Sequence, residues 1–461
     1  MIKQIIVAAL GLGMLSSCGI YSKYEEVKTV DQNIFGEISL DTTDTVSIAD
    51  LTWKQFFTDP QLQQLIQRAL ENNVDIKIAQ LRVQEAETAL KTSKLSFLPG
   101  FYFSPNGSIT KLFYEDYGNP SSQTYSIPIT CEWQIDLFGS LRNQKRKNKA
   151  AFEQMNDVKQ TVETQIIATT ATLYYTLCML DRQLEIAHQT ESTWAKTVES
   201  ARALKDAGLT NAAGVYQMEA TYFQIQTTVL ELEQSLNSTE NQLSLLLAQT
   251  PKTESRSSLE SFQVPENIKT GLPLKILSKR PDVRSAQRQL EAAFYDVNAA
   301  RSAMYPNLTL SGSAGFTNNA GGMVFNPGKI FMSAAASLVQ PLFANGGLRA
   351  NLKVSKAEYE IASLNFSNTL LKAGVEVNDA LDLCQKSQAK AELYSKQVES
   401  LQQAFDATSL LMEHGNTTCL EVLTARQSLL SAELSQAANK FQEISGLIQL
   451  YSALGGGSSQ N

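Results

Sequence analysis

Apolar side chains recur at alternating steps of three and four along several long stretches, the pattern of helices that pack as coiled coils. No proline or glycine occurs between Gly139 and Gly208, which predicts one helix of about seventy residues, roughly 100 Å long. The glycine-rich segment Lys205–Gly214 then turns the chain into a return helix with the same spacing. A second hairpin of this kind runs from Gly347 to about Leu454.

Strict alternation of apolar and polar residues marks a different segment, between Tyr125 and Leu137. It predicts a two-faced strand long enough to cross a bilayer at a tilt, although a strand of a soluble sandwich shows the same parity. Pro128 predicts a bulge or a strand end inside this segment. The second half repeats the hairpin with weaker alternation, which the run of alanines at 334–336 blurs.

The two halves are copies of one pattern, related by a shift of 207 residues. Each half is predicted to contain a helix, a β-hairpin, a very long helix and a return helix. The fold class is therefore mainly α with a β part. The expected divisions are 1–17 signal peptide, 18–52 tether, 53–250 first repeat (hairpin 101–137, coiled coil 139–250), 251–272 linker, 273–454 second repeat (hairpin 308–343, coiled coil 347–454) and 455–461 disordered tail.

The first residues predict export. An apolar run from Ile5 to Leu15, too short to span a bilayer, follows Lys3 and ends in small residues before Cys18. This arrangement resembles a bacterial lipobox, in which Cys18 is acylated and anchors the protein to lipid. The alternative is an ordinary secretion signal with a chance cysteine. We expect no disulfide among the other four cysteines, which we interpret as small buried side chains.

The composition argues against most other classes. Aromatic residues make up only 8% of the chain, a share typical of long helices and coiled coils rather than of compact cores. The net charge is −7, and without a basic surface a nucleic-acid partner is not expected. The two histidines, His188 and His414, lie on separate predicted helices, and no CxxC motif is present. The sequence therefore offers few side chains that could ligate a metal ion together. We expect no cofactor and no enzymatic activity.

Several motifs, in order along the whole mature chain, resemble the outer-membrane efflux lipoproteins of the TolC superfamily, the OprM/NodT-type branch. They are Trp53, Phe56, Asp59, Pro60, Leu62, Leu65, Ala69, Asn72 and Asp75; Arg280–Val283; Ala300, Arg301, Pro306 and Leu308; Gln340–Phe343 with Gly346, Gly347 and Arg349; and His414, Gly415 and Glu421–Leu423.

The resemblance implies a homotrimer with a 12-stranded outer-membrane β-barrel on a long periplasmic α-helical barrel. Such a trimer works with a periplasmic adaptor (membrane fusion protein) and an inner-membrane pump of the RND or ABC type. The implied function is the outlet duct of a tripartite pump that exports small molecules such as drugs. The implied location is the outer membrane, lipid-anchored and extending into the periplasm.

The resemblance also implies site residues. The two turns, with Gly208, Leu209, Thr210, Gly415, Asn416 and Thr417, would form the tip that docks the adaptor. Glu421 occupies the position of an acidic ring that narrows the tip, and Thr424 stands where some members carry a second acid. The alternative for Glu421 is an ordinary solvated helix acid. Strand parity separately predicts Glu132 and Asp136 as charges in the barrel lumen, unless they sit at its rim.

Two other functions stay open at this point. A type I protein-secretion outlet shares the architecture, although such outlets usually lack the lipobox. A coiled-coil adhesin or scaffold without a duct would explain the helices, but the alternation between Tyr125 and Leu137 argues against it.

Overall fold

A computed structural model describes residues 23–25, 51–111, 113, 121–208, 210–262, 279–318, 329–414, 417 and 419–456. The fold comprises two compact units, and each contains elements from both halves of the sequence. The first unit includes 82–156 and 285–367. The second includes 157–284 and 368–461, together with the segment that ends at Leu81. In the described part of the chain, no helix combines the length and apolar content needed to cross a membrane.

The elements follow the predicted order in both halves. They are α1 (Trp53–Phe56), α2 (Pro60–Asn72), α3 (Val74–Leu95), β1 (Gly100–Phe103), β2 (Asn106–Lys111), β3 (Ser121–Ile135), α4 (Ser140–Asp206), α5 (Ala212–Leu246), a 3-10 turn (Leu259–Ser261), α6 (Pro281–Ser302), β4 (Asn307–Asn318), β5 (Lys329–Val339), α7 (Gly347–Glu413) and α8 (Cys419–Ala453). Helices α6, α7 and α8 each begin and end 207 residues after α3, α4 and α5. The predicted repeat of the fold is confirmed.

An antiparallel sheet in the first unit joins the two hairpins. Its order is β1, β3, β4, β5, and β2 also pairs with β3. β1 and β2 are two parts of one edge strand in a single register, because Phe103 faces Ile129 and Asn106 faces Ser126. The interruption between them contains Pro105, which has no N–H to give to the ladder.

Pro128 does not end β3, contrary to the sequence prediction. The ladder to β4 runs unbroken from Tyr125 to Ile135. The carbonyl of Pro128 faces the other neighbour, where it accepts a hydrogen bond from the Ser104 amide at 3.4 Å. Proline has no amide hydrogen to donate, but at this position its absence removes no hydrogen bond between β3 and β4. On the β4 side Pro128 lies opposite Gly315, which leaves room for it.

The register gives the sheet one apolar and one polar face, since residues directly opposite in an antiparallel pair share a face. The mainly polar face carries Ser126, Thr130, Glu132, Gln134, Thr309, Ser311, Ser313, Thr317, Ser333 and Ser337, together with the larger side chains of Tyr102, Pro128 and Phe331. The apolar face carries Phe101, Phe103, Ile127, Ile129, Trp133, Leu308, Leu310, Phe316, Ile330, Met332 and Leu338.

The second unit is helical, and its N-terminal elements are capped as the sequence predicts. The Asp59 carboxylate accepts a hydrogen bond from the Gln61 amide at 2.8 Å, and Pro60 is the first residue of α2. Phe56 and Phe57, both buried, pack on Tyr451 of α8, with the Phe56 and Tyr451 rings stacked at 4.4 Å. These aromatic contacts fix the start of the helical region to the last helix.

Candidate functional site

The apolar face of the sheet is the first candidate surface. Its large side chains are exposed, including Phe101 (69%), Ile330 (73%) and Met332 (83%). A contiguous apolar face of this kind marks a binding or membrane surface, because soluble monomers seldom expose one. Glu132 lies on the opposite, polar face beside Ser311. Its predicted place in a lumen stays a prediction.

Asp136 has a different role from the one that strand parity suggests. β3 ends at Ile135, and the Asp136 carboxylate accepts hydrogen bonds from the Leu141 and Arg142 amides, both at 3.0 Å. The Arg142 guanidinium adds an ion pair at 3.1 Å, and the Asp136 side chain is only 8% exposed. A carboxylate at this position stabilises the positive end of α4. Asp136 is therefore a helix cap in this chain rather than a charge projecting from the strand.

The sheet has two edges that no other strand of its own chain occupies in the described ranges. Among the described strands, β5 pairs only with β4, and β1 and β2 pair only with β3. Free edge strands present unpaired amides and carbonyls, and proteins cover them by pairing or closure. The two edges of the sheet are therefore available for pairing with further strands.

The described residues of the two predicted tip turns belong to the second unit. Gly208 ends α4 with φ +74°, a left-handed conformation that glycine adopts without strain, and its amide bonds to the Lys205 carbonyl at 2.9 Å. The side chain of Asn211 then caps α5 by accepting from the Gly214 amide at 2.9 Å. Thr210 is half-buried. Leu209, Gly415 and Asn416 lie outside the described residues.

One hydrophobic cluster joins the ends of the two hairpins, which the sequence did not predict. It takes side chains from the end of α4, from α5, and from α7 and α8: Ile186, Trp194, Val198, Ala201, Val215, Met218, Ile225, Leu423 and Leu430, with Tyr222, Met412 and Leu434 packed against them. The described helix segments next to the two turns therefore pack into one body.

Glu421 is exposed in the first turn of α8, where a carboxylate stabilises the helix N-terminus. The Thr417 hydroxyl donates a hydrogen bond to it. Thr424 is also exposed, and its hydroxyl donates to the Leu420 carbonyl at 2.9 Å. Both predicted gate residues are thus accessible at the helix start. The gate role stays a prediction.

Comparison with known proteins decides the family. The outer membrane efflux protein family matches residues 65–249 and 272–456, two segments that begin 207 residues apart. The chain belongs to this family. The probable outer membrane lipoprotein SilC of Salmonella typhimurium is 26% identical over 89% of this chain and 89% of its own length. The solvent efflux pump outer membrane protein SrpC of Pseudomonas putida is 27% identical over 88% and 87%.

Solved structures share the fold of this outer membrane efflux protein. A CusC structure, described in connection with transmembrane channel formation, superposes with a TM-score of 0.85 at 24% identity, over 95% of this chain and 100% of the other. The efflux protein is located in the outer membrane and extends into the periplasm, and it is an outer-membrane channel of an efflux system. These sequence predictions are confirmed.

Cargo chemistry differs among these relatives, since one is named for solvents and another, CusC, for cations. The described part of this efflux protein has no group of three or more His, Cys, Asp or Glu side chains placed to bind a metal ion. Cys131, Cys178 and Cys384 are free thiols, and burial raises the pKa of Cys178 to about 12. Cys18, the predicted lipidation site, lies outside the described residues.

The linker after α5 is part of the helical unit of the efflux protein, whereas the sequence suggested only a polar connection. Arg256 forms ion pairs with Asp181 of α4 and, at 2.9 Å, with Glu240 of α5. The Ser257 amide donates to the Tyr174 hydroxyl at 2.8 Å, and that hydroxyl donates to Asp59 at 2.6 Å. The signal in the sequence was Arg256 itself, the one arginine in the polar segment 251–272.

Proposed function

We propose that three copies of this efflux protein assemble into the outlet duct of a tripartite pump. The observation that carries the proposal is the sheet, which has one exposed apolar face, one polar face and two open edges. With β1 and β2 counted as one interrupted strand, each chain supplies four strands. Three chains then close twelve strands around a polar interior, with the apolar face toward lipid.

Exposed apolar stripes on the helices support the same assembly. On α5, Tyr216, Phe223 and Leu230 are spaced by seven residues and are 62%, 58% and 65% exposed. This is the spacing of a coiled-coil seam that needs a facing helix. On α7, Ile361, Leu364, Leu371 and Val375 form a second exposed stripe with steps of three, seven and four. Neighbouring copies of the chain would cover both stripes.

The partners follow from the assembly. Members of the family form trimeric channels that work with adaptors and inner-membrane pumps. Each chain has two helical hairpins, so a trimer of the chain would present six hairpin ends. A six-membered adaptor ring would match this number. Tip residues Gly208, Leu209, Thr210, Gly415, Asn416 and Thr417 are the proposed contact. The pump, of the RND or ABC type, determines the cargo, which we propose to be small molecules such as drugs.

Anchoring and gating complete the proposal. Acylation of Cys18 would attach each chain to outer-membrane lipid. Three Glu421 carboxylates around one axis would repel one another and attract cations, which makes the helix starts of α8 a candidate constriction. Glu132 would line the barrel lumen.

The test combines assembly with transport. The purified chain, reconstituted in planar bilayers, should form trimers with steady cation-permeable conductance, and deletion of the gene should sensitise the bacterium to dyes, detergents or antibiotics. Unchanged susceptibility together with loss of a secreted protein would favour the type I secretion alternative. Absence of any conductance would favour a scaffold. As a control, Glu132→Gln should keep the trimer and lower only its cation preference.

A further inference from the structure

Basic residues concentrate at the start of α4, directly after the sheet. Five of the ten residues from Ser140 to Lys149 are lysine or arginine, and none of the ten is acidic. Lys145 and Arg146 are exposed, and no acidic side chain lies within salt-bridge distance of either in the described ranges. The other three basic residues have acidic partners: Arg142 pairs with Asp136, Lys147 with Asp296 and Lys149 with Glu153.

The two cations without an acidic partner lie over aromatic rings. The Lys145 ammonium is 5.8 Å from the centre of the Phe97 ring, and the Arg146 guanidinium is 5.8 Å from the centre of the Tyr295 ring. A ring attracts a cation without accepting its full set of hydrogen bonds. Both side chains therefore keep N–H groups for an anion, and the planar guanidinium of Arg146 suits a phosphate.

Trp133 connects this part of α4 to the apolar face of the sheet. It lies on that face near the end of β3 and is 40% exposed, and its indole Nε1–H donates to the Phe97 carbonyl at 2.9 Å. Tryptophan, apolar at one end and hydrogen-bonding at the other, is typical of membrane–water interfaces. Under the proposed function the apolar face meets lipid, so Phe97 and Lys145 would lie at the level of the lipid headgroups.

The N-terminal segment indicates the same level by a separate contact. The Tyr24 ring packs on Phe294 and Tyr295 of α6, with centroid distances of 5.4 and 6.4 Å, and Tyr295 is the ring that Arg146 covers. Cys18, the proposed acylation site, precedes Tyr24 by only six residues. An extended chain of six residues spans at most about 21 Å, so the acyl chains would begin within about that distance of Tyr24.

The repeat builds the same junction at the start of α7. Gln340, 207 residues after Trp133, donates to the Met304 carbonyl at 3.0 Å, which is the contact that Trp133 makes in the first half. Lys353 is exposed at the position that corresponds to Arg146. A pinned strand end followed by an exposed cation therefore occurs in both halves of the chain.

We propose, on the basis of the lipid-facing sheet in the proposed function, that Lys145 and Arg146 bind the phosphates of anionic phospholipid headgroups. The ammonium and the guanidinium each donate hydrogen bonds to phosphate oxygens, while the acyl chains of these lipids lie along the apolar face beside Trp133. The bound headgroups would fix the depth of the sheet in the membrane.

The chain carries its own reporter of the adjoining lipid. Of its three tryptophans, Trp53 and Trp194 are buried in the second unit, and Trp133 is exposed on the sheet. The full chain is reconstituted in vesicles of phosphatidylcholine and phosphatidylglycerol, with the acyl chains of one lipid or the other brominated. Quenching of tryptophan fluorescence by each brominated lipid then gives the relative affinity of the two lipids at Trp133. We expect phosphatidylglycerol to be favoured about fivefold or more at low salt.

Two paired substitutions test which cations produce this preference. Lys145→Gln together with Arg146→Gln should reduce it to less than about twofold. The matched control, Lys386→Gln together with Lys390→Gln, removes two exposed lysines from α7 in the second unit and should keep the full preference. In the unaltered chain, a rise from about 0.05 M to about 0.5 M NaCl should also weaken the preference, because salt screens exposed charges.

The results separate this proposal from the proposed function. Equal quenching by the two brominated lipids, a preference that salt does not change, or an equal loss of preference in the control pair would overturn headgroup binding by Lys145 and Arg146. Each of these would leave the lipid-facing sheet in place. Quenching by neither lipid would overturn the lipid-facing sheet, and headgroup binding with it.

Discussion

Replacement of Arg256 by methionine tests whether the linker is held to the helices by charge. Arg256 is 11% exposed, and its guanidinium forms ion pairs with Asp181 and Glu240. It also donates a hydrogen bond to the Glu254 carbonyl at 3.2 Å. Methionine keeps much of the packing of the stem but leaves two carboxylates without their cation. The loss of one partner of a buried ion pair costs about 3–5 kcal/mol.

The expected cost here is lower, because the Asp181 side chain is 42% exposed and water screens part of its charge. We expect the linker to lose about 2–3 kcal/mol of local stability. That raises the equilibrium constant for local opening by about 30- to 150-fold.

Hydrogen exchange measured by mass spectrometry on the peptide 251–262 reports this opening. This peptide includes the Ser257 amide, which donates a hydrogen bond to the Tyr174 hydroxyl. In Arg256→Met, exchange of this peptide should accelerate by the same factor, while the core of α8 stays protected. The matched control is Arg202→Met, which breaks an exposed pair with Glu219 and should change local exchange less than about fivefold. Unchanged linker exchange in Arg256→Met, or an equal effect in the control, would show that the Arg256 ion pairs do not hold the linker to the helices.

Three further predictions concern the gate, the sheet and pH. Glu421→Ala should raise the conductance of the reconstituted channel and lower its cation preference, measured in planar bilayers. Gly315→Ala should prevent stable assembly, seen as loss of the trimer on native gels, because a Cβ atom there would lie 2.2 Å from the Ile127 carbonyl oxygen. The hydrogen bond from Arg68 lowers the pKa of Glu254. The stability that this interaction adds to the fold is therefore present above about pH 4.3, and it is lost as the pH falls through the lowered pKa of Glu254. Arg68→Gln should flatten this part of the pH dependence of Tm.

Each of these has a matched comparison. Glu199→Ala removes an exposed acid from α4 and should not alter conductance. An equal effect of the two substitutions would show that Glu421 has no specific gating role. Gly312→Ala adds a Cβ that meets only the Ser333 carbonyl at 3.7 Å and should assemble normally. If Arg68→Gln lost stability equally at pH 7 and pH 3, the pKa of Glu254 would have no part in it.

The helical part of the fold was predictable from the sequence because its signals are local. The absence of glycine and proline between Gly139 and Gly208, and the turn at Gly208 itself, set the bounds of α4. The shift of 207 then reproduced the same bounds for α7. Alternation fixed the two faces of β3 for the same reason, since each side chain depends only on its own position in the strand.

The features that could not be predicted from the sequence depend on contacts between residues that are distant along the chain. Asp136 follows the parity of β3 in the sequence, yet its carboxylate binds the next helix. The alternation of β5 is blurred by alanines, and only its register with β4 assigns them to faces. The Arg256 pairs join segments 75 and 16 residues apart, which no periodicity reveals.

We expect three copies of the chain to close their sheets edge to edge into one channel. Single-particle imaging of the full chain in nanodiscs tests it most directly. The images should show three copies around one axis, with β5 of each chain hydrogen-bonded to the β1 and β2 edge of the next and the apolar face toward lipid. Another number of copies, or sheet edges left unpaired in the assembled particle, would contradict it.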